Sequence, residues 1–241
     1  MKFLALETAT RAGSVALLDG SRLVERDVDL RGRGVVAGVE DLLRDESVAL
    51  SALDAIAVSV GPGSFTGIRI GVSAAAGLGL GSGVRSVGVG TLDAVAESAF
   101  DSDWGVPGTL CLASVDAGRG AVYASLYQAC EGGTSRILWG PEFVTVEGLA
   151  RSLLDVAGEV GPSRPGMLAG PGGAMLAPLF PPEAGWDRPG AAAVARAGAV
   201  ARIAARKFLA GETHAPGELE PVYLRKSDAE IHRERRHSES G

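Results

Sequence analysis

The chain has 241 residues, 46% of them hydrophobic and 22% charged, enough to bury a sizeable core in one large domain or two modest ones. Its formal net charge of −6 offers a phosphate backbone no bulk attraction, and its 5% aromatic share leaves few rings for base stacking, which argues against autonomous RNA binding. The two cysteines, Cys111 and Cys130, form no CxxC pair, and the histidines, His214, His232 and His237, fall near the C-terminal end, so a histidine dyad or histidine metal site is excluded from the core by inventory.

The opening Met1-Lys2-Phe3-Leu4 reads as a strand and not as a leader, and the longest apolar stretch, 68–80, is too short for a membrane span. The expected location is the cytoplasm. Apolar runs at 3–7, 14–18 and 23–28 predict three antiparallel strands, with Asp19-Gly20 as the hairpin turn between the second and third. Val35, Val36, Val39, Leu42 and Leu43 have amphipathic helix spacing. A buried strand at 55–60 leads into a glycine loop at 61–67, and a helix follows at 68–81. Then come a strand at 84–89 and a helix at 92–100 that Thr91 can cap.

Residues 101–108 read as a linker, after which the pattern starts again. Strands at 109–115 and 121–127 flank a turn at 116–120. Thr145 caps a helix through 154, a strand at 167–169 feeds Gly170-Pro171-Gly172-Gly173, and an alanine-rich helix spans 191–209. The expected organisation is α/β, with two similar lobes, each a mixed sheet flanked by helices, at 1–103 and 109–224. The tail, 225–241, is dense in Arg, Glu, Ser and His and reads as disordered.

Three motifs could carry chemistry. Glu7-Thr8-Ala9-Thr10 is either a carboxylate and hydroxyls facing a metal-bound phosphate or an ordinary turn capped by its own threonines. Gly61-Pro62-Gly63-Ser64-Phe65-Thr66-Gly67 could offer N–H groups to an anion, or be a strand-to-helix turn with Ser64 or Thr66 as N-cap. It is neither a Walker loop nor a dinucleotide fingerprint. Asp116 and Arg119 could pair across their turn, and the loop at 170–173 could approach a nucleotide or simply end a strand. The helix after residue 67 carries Gly71, Ser73, Ala74, Ala75, Ala76, Gly77, Gly79 and Gly81. Its poor intrinsic propensity is offset if another backbone comes close, from within the chain or from a second subunit.

Four strings, in order along nearly the whole chain, resemble the TsaB (YeaZ) family. They are Leu4-Ala5-Leu6-Glu7-Thr8-Ala9-Thr10, the string from Gly61 through Gly71, Asp116-Ala117-Gly118-Arg119-Gly120-Ala121-Val122-Tyr123, and Pro221-Val222-Tyr223-Leu224-Arg225. The resemblance implies a two-lobed actin-like ATPase (ASKHA) fold. It implies a non-catalytic scaffold that binds and activates a TsaD-type catalytic subunit, with a TsaE-type ATPase, in making N6-threonylcarbamoyladenosine at tRNA position 37.

On that footing Val36, Val39, Ile68, Gly71, Val72, Ala75 and Gly79 are the expected partner-binding residues. Glu7, Thr8, Thr10, Gly172 and Gly173 are the candidate nucleotide or anion site, with ATP or ADP and magnesium held, if at all, at a partner interface. No catalytic or metal-ligating residue is expected. A homodimer is expected when the chain is alone, and tRNA contact only through the complex. Two departures stand out: Glu7 replaces the family's usual Asp, and Arg31-Gly32-Arg33-Gly34 replaces a His-Ser pair at the first long helix. The rival expectation is an actin-like ATPase, phosphotransferase or glycoprotease-like peptidase acting on its own.

Overall fold

Strict alternation in β1 (Lys2–Glu7) sends Phe3 and Ala5 to one face of a sheet and Leu4 and Leu6 to the other, and all four are buried. A strand buried on both faces needs a layer of helices on each side, and this requirement organises the molecule. The structure is a computed structural model, and it describes residues 1–32, 34–101, 105–149, 151–152, 166–180, 185–187 and 194–225.

The first sheet has the order β3-β2-β1-β4-β5, with β2 (Ser14–Asp19), β3 (Arg22–Asp27), β4 (Ala55–Gly61) and β5 (Arg85–Gly90). The strands β1, β2 and β3 form an antiparallel meander, whereas β4 and β5 run parallel to β1. The second sheet repeats the scheme as β8-β7-β6-β9-β10, built from β6 (Leu110–Gly118), β7 (Ala121–Ala129), β8 (Ser135–Thr145), β9 (Gly166–Ala169) and β10 (Trp186–Asp187). Again two antiparallel pairs are followed by two parallel ones.

Five layers result. The helices α1 (Gly34–Asp45) and α2 (Phe65–Ser82) cover the outer face of the first sheet through Val35, Val39, Leu42, Ile68, Val72 and Ala75. Between the sheets lie α3 (Thr91–Phe100) and α6 (Ala197–Leu209), sharing one core with both. A helix beginning at residue 146 (α4) and the short α5 (Gly173–Leu176) cover the outer face of the second sheet through Leu149 and Leu176.

Several expectations change. The hairpin loop is Gly20-Ser21: Asp19 pairs with Arg22, and only Gly20 takes a positive φ. Thr91 is the first residue of α3, with Gly90 at the N-cap position. Most consequential, α6 follows the second sheet in sequence but packs on β1, β2, β4 and β5, so the lobe placed at 109–224 gives back its last helix to the first lobe. The alanines of α6 explain this, since Ala197, Ala199, Ala201 and Ala204 allow close approach between two sheets. The predicted ends of helices at 154 and 191, part of the linker, Arg33 and the tail beyond 225 lie outside the described residues.

Candidate functional site

The parallel strands end in four polar turns: Glu7–Thr10 after β1, 61–67 after β4, 116–120 after β6 and 170–173 after β9. At the first turn, Glu7 is fully buried. Its carboxylate accepts from the Thr10 amide at 2.9 Å and from the Ser59 hydroxyl of the neighbouring strand. Burial pushes the Glu7 carboxyl above the usual range, against the opposing pull of those hydrogen bonds. The Thr8 hydroxyl donates to the Gly67 carbonyl at 2.7 Å. At the fourth turn the Gly172 amide donates to the Ser114 carbonyl at 3.2 Å and the Gly173 amide to the Gly170 carbonyl at 3.0 Å.

The Thr8 hydroxyl and the Thr10, Gly172 and Gly173 amides are thus bonded within the chain. The fold brings Glu7, Thr8 and Thr10 together at one strand end, and Gly172 and Gly173 at the corresponding end of the other sheet. Among the described residues no cluster of His, Cys, Asp and Glu could hold a metal ion.

The glycine loop resolves into a helix start. The Ser64 hydroxyl accepts from the Gly67 amide at 3.1 Å, making Ser64 and not Thr66 the N-cap of α2. In the third turn the Asp116 carboxylate turns back to its own backbone. It accepts from the Gly118 amide at 2.7 Å, an Asx turn.

The expected partner-binding set divides. Val39, Ile68, Gly71, Val72, Ala75 and Gly79 are buried within their own lobe, and only Val36 is exposed, at 44%. The reason is steric. A side chain on Gly71 would collide with Thr8 and Val58, and one on Gly79 would meet the Val84 carbonyl and Pro216. The bulk-free face of α2 is therefore satisfied by intrachain packing. Missed by the sequence reading is the opposite face, where Thr66, Ile70, Ser73, Gly77 and Leu80 recur at helical spacing and are exposed. Ile70 is 38% and Leu80 70% accessible. The signal was available as Ile70 and Leu80, two large apolar residues out of phase with Ile68, Val72 and Ala75.

Duplicated β-meanders, each continued by two parallel strands, with helices between and outside the sheets, define a two-lobed actin-like protein. The family model for TsaD, tRNA N6-adenosine threonylcarbamoyltransferase, matches residues 35–160. The chain is 34% identical over 239 residues to the tRNA threonylcarbamoyladenosine biosynthesis protein TsaB of Escherichia coli, covering 95% of this chain and 96% of that one. It is 31% identical to Bacillus subtilis TsaB over 132 residues, 53% of this chain and 56% of the relative. YeaZ from Pseudomonas aeruginosa superposes with a TM-score of 0.75 at 27% identity, over 92% of this chain and 99% of that structure. A second structure from the same organism, described as similar to peptidase YeaZ, gives 0.77 at 27% identity, over 93% and 99%. The chain belongs to the TsaB (YeaZ) family of tRNA threonylcarbamoyladenosine biosynthesis proteins.

Proposed function

We propose that the chain is an accessory subunit that binds and activates a TsaD-type catalytic subunit in forming N6-threonylcarbamoyladenosine, and that it performs no chemistry of its own. The observation that carries this reading is the outward face of the α1–α2 pair. Val36, Ile70 and Leu80 expose large apolar surface there, while Ser73 and Gly77 leave the ridge between Ile70 and Leu80 low enough for a partner helix to approach. The buried glycines fix this face in place by seating α2 tightly on the sheet.

A second copy can use the same face when the partner is missing, giving a homodimer. A TsaE-type ATPase joins the assembled pair, tRNA is reached only through the complex, and the location is the cytoplasm. Among the described residues no helix is long and apolar enough to cross a membrane. Because the polar turns at the strand ends are internally bonded, any ATP or ADP with magnesium is held jointly with the partner. The test is reconstitution with the TsaD-type subunit and a tRNA modification assay, beside titration of the isolated chain with ATP and magnesium. Modification should need both subunits. Turnover by the isolated chain overturns the reading in favour of an enzyme.

A further inference from the structure

After α6 the chain does not end in the second lobe but runs back over the first. The His214 and Ser86 backbones exchange hydrogen bonds of 2.8 and 3.0 Å, covering part of the edge strand β5. Leu219 packs on the outer core, and the Val222 amide donates to the Val60 carbonyl at 2.7 Å. The Tyr223 ring then stacks on Phe65 with centroids 4.7 Å apart. Arg69 completes the group: its guanidinium lies 3.9 Å from the centre of the Phe65 ring, and its Nε donates to the Tyr223 hydroxyl at 3.1 Å.

Two residues later the attachment changes lobes. The guanidinium of Arg225 stands 5.3 Å from the centre of the Phe143 ring on β8, and Phe143 in turn packs on Tyr123 with centroids 5.7 Å apart. Tyr123 sits against the core shared between the sheets. Phe65 follows the loop after β4, and Tyr123 follows the turn after β6, so the two anchors mark corresponding ends of the two sheets.

We infer that residues 210–225 form a latch that ties the two lobes together at the ends of their parallel strands, with Tyr223 as the anchor on the first lobe and Arg225 as the anchor on the second. The latch stands whatever the chain's partner is, since every contact it uses is internal. It also gives Arg225 a structural place that the expectation of a disordered tail from that residue onward denied it.

Paired spin labels across the lobes test this. With Cys130→Ser, and with Cys111 buried, Thr66→Cys and Glu142→Cys place one label on α2 and one on β8 of the full chain. The parent should give one narrow distance distribution. Tyr223→Ala and Arg225→Ala should each broaden it towards longer distances, and amide exchange in 61–67 should rise about fivefold, the scale of one lost ring–cation contact. Arg225→Lys and Tyr223→Phe, which keep the cation or the ring, should stay close to the parent, and circular dichroism should show all variants folded. Unchanged distances in the Tyr223→Ala/Arg225→Ala double variant would overturn the latch. So would broadening in the conservative variants equal to that in the alanine ones.

Discussion

Gly71 lies directly against Thr8, so that a single methyl group on Gly71 would strike the Thr8 hydroxyl, which is itself committed to the Gly67 carbonyl at 2.7 Å. This contact seats α2 on the sheet. It also moves the small residues of α2 from an expected intersubunit surface to an intrachain one. Gly71→Val should therefore destabilise the protein by about 1–3 kcal/mol through overpacking. Ala75→Arg, which forces a charge into the same interface, should prevent folding outright and not merely abolish partner binding. Denaturant melts of both variants check this.

On the other side of the same helix, Ile70→Asp and Leu80→Asp, and Val36→Asp on α1, should leave stability within about 0.5 kcal/mol of the parent, because these side chains already face solvent. Each should weaken binding of the TsaD-type subunit by about tenfold or more, the scale of a buried apolar contact at an interface centre. Calorimetric titration reads the affinity, and full binding by all three variants would reject this docking face.

The Glu7 carboxyl titrates higher in the folded chain than in the unfolded one because burial outweighs its hydrogen bonds. The native state then holds a proton that the unfolded state releases first. The contribution of Glu7 to stability is fully present below the ordinary carboxylate range and is lost as pH rises through the elevated folded value. Glu7→Gln keeps an acceptor for the Thr10 amide and carries no charge. It should stabilise the protein at pH 8 relative to the parent and flatten the decline of stability with pH. Thermal melts across pH 4 to pH 9 measure both effects (about one point per pH unit suffices to resolve the slope).

Between the lobes, the Tyr127 hydroxyl on β7 donates to the Asp93 carboxylate on α3 at 2.7 Å. Burial holds the Asp93 carboxyl above its usual range, and the Tyr127 hydrogen bond pulls it back. Tyr127→Phe should cost about 1–3 kcal/mol by leaving that carboxylate short of a donor. The removal should also raise the Asp93 pKa further, so the loss should grow as pH rises above the ordinary carboxylate range. A denaturant series at two pH values distinguishes this from simple loss of packing, which is independent of pH.

Much of the architecture was legible in one dimension. The apolar run at 3–7 announced a strand, and the recurrence of hairpin, strand, glycine loop and helix announced two lobes. The strings around Glu7, Gly61–Gly71 and Tyr223 carried the family, because they are local and contiguous. The boundary of the lobes was not legible: α6 shows an alanine-rich face, and nothing in its sequence states which of two sheets it will meet.

The sequence by itself determined which residues are small, which are apolar and in what period, and so the element types and the class of fold. Only the tertiary structure decided which face of α2 is covered. A stripe of Gly and Ala is equally suited to an internal sheet or a foreign helix, and the choice depends on whether β1 and β4 come within reach of Gly71 and Ala75. The same holds for Glu7. Its carboxylate could serve a phosphate or its own turn, and the position of Ser59 on β4, 52 residues along the chain, directs it inward. Propensity and period are local properties, whereas burial is set by long-range pairing that no window of sequence contains.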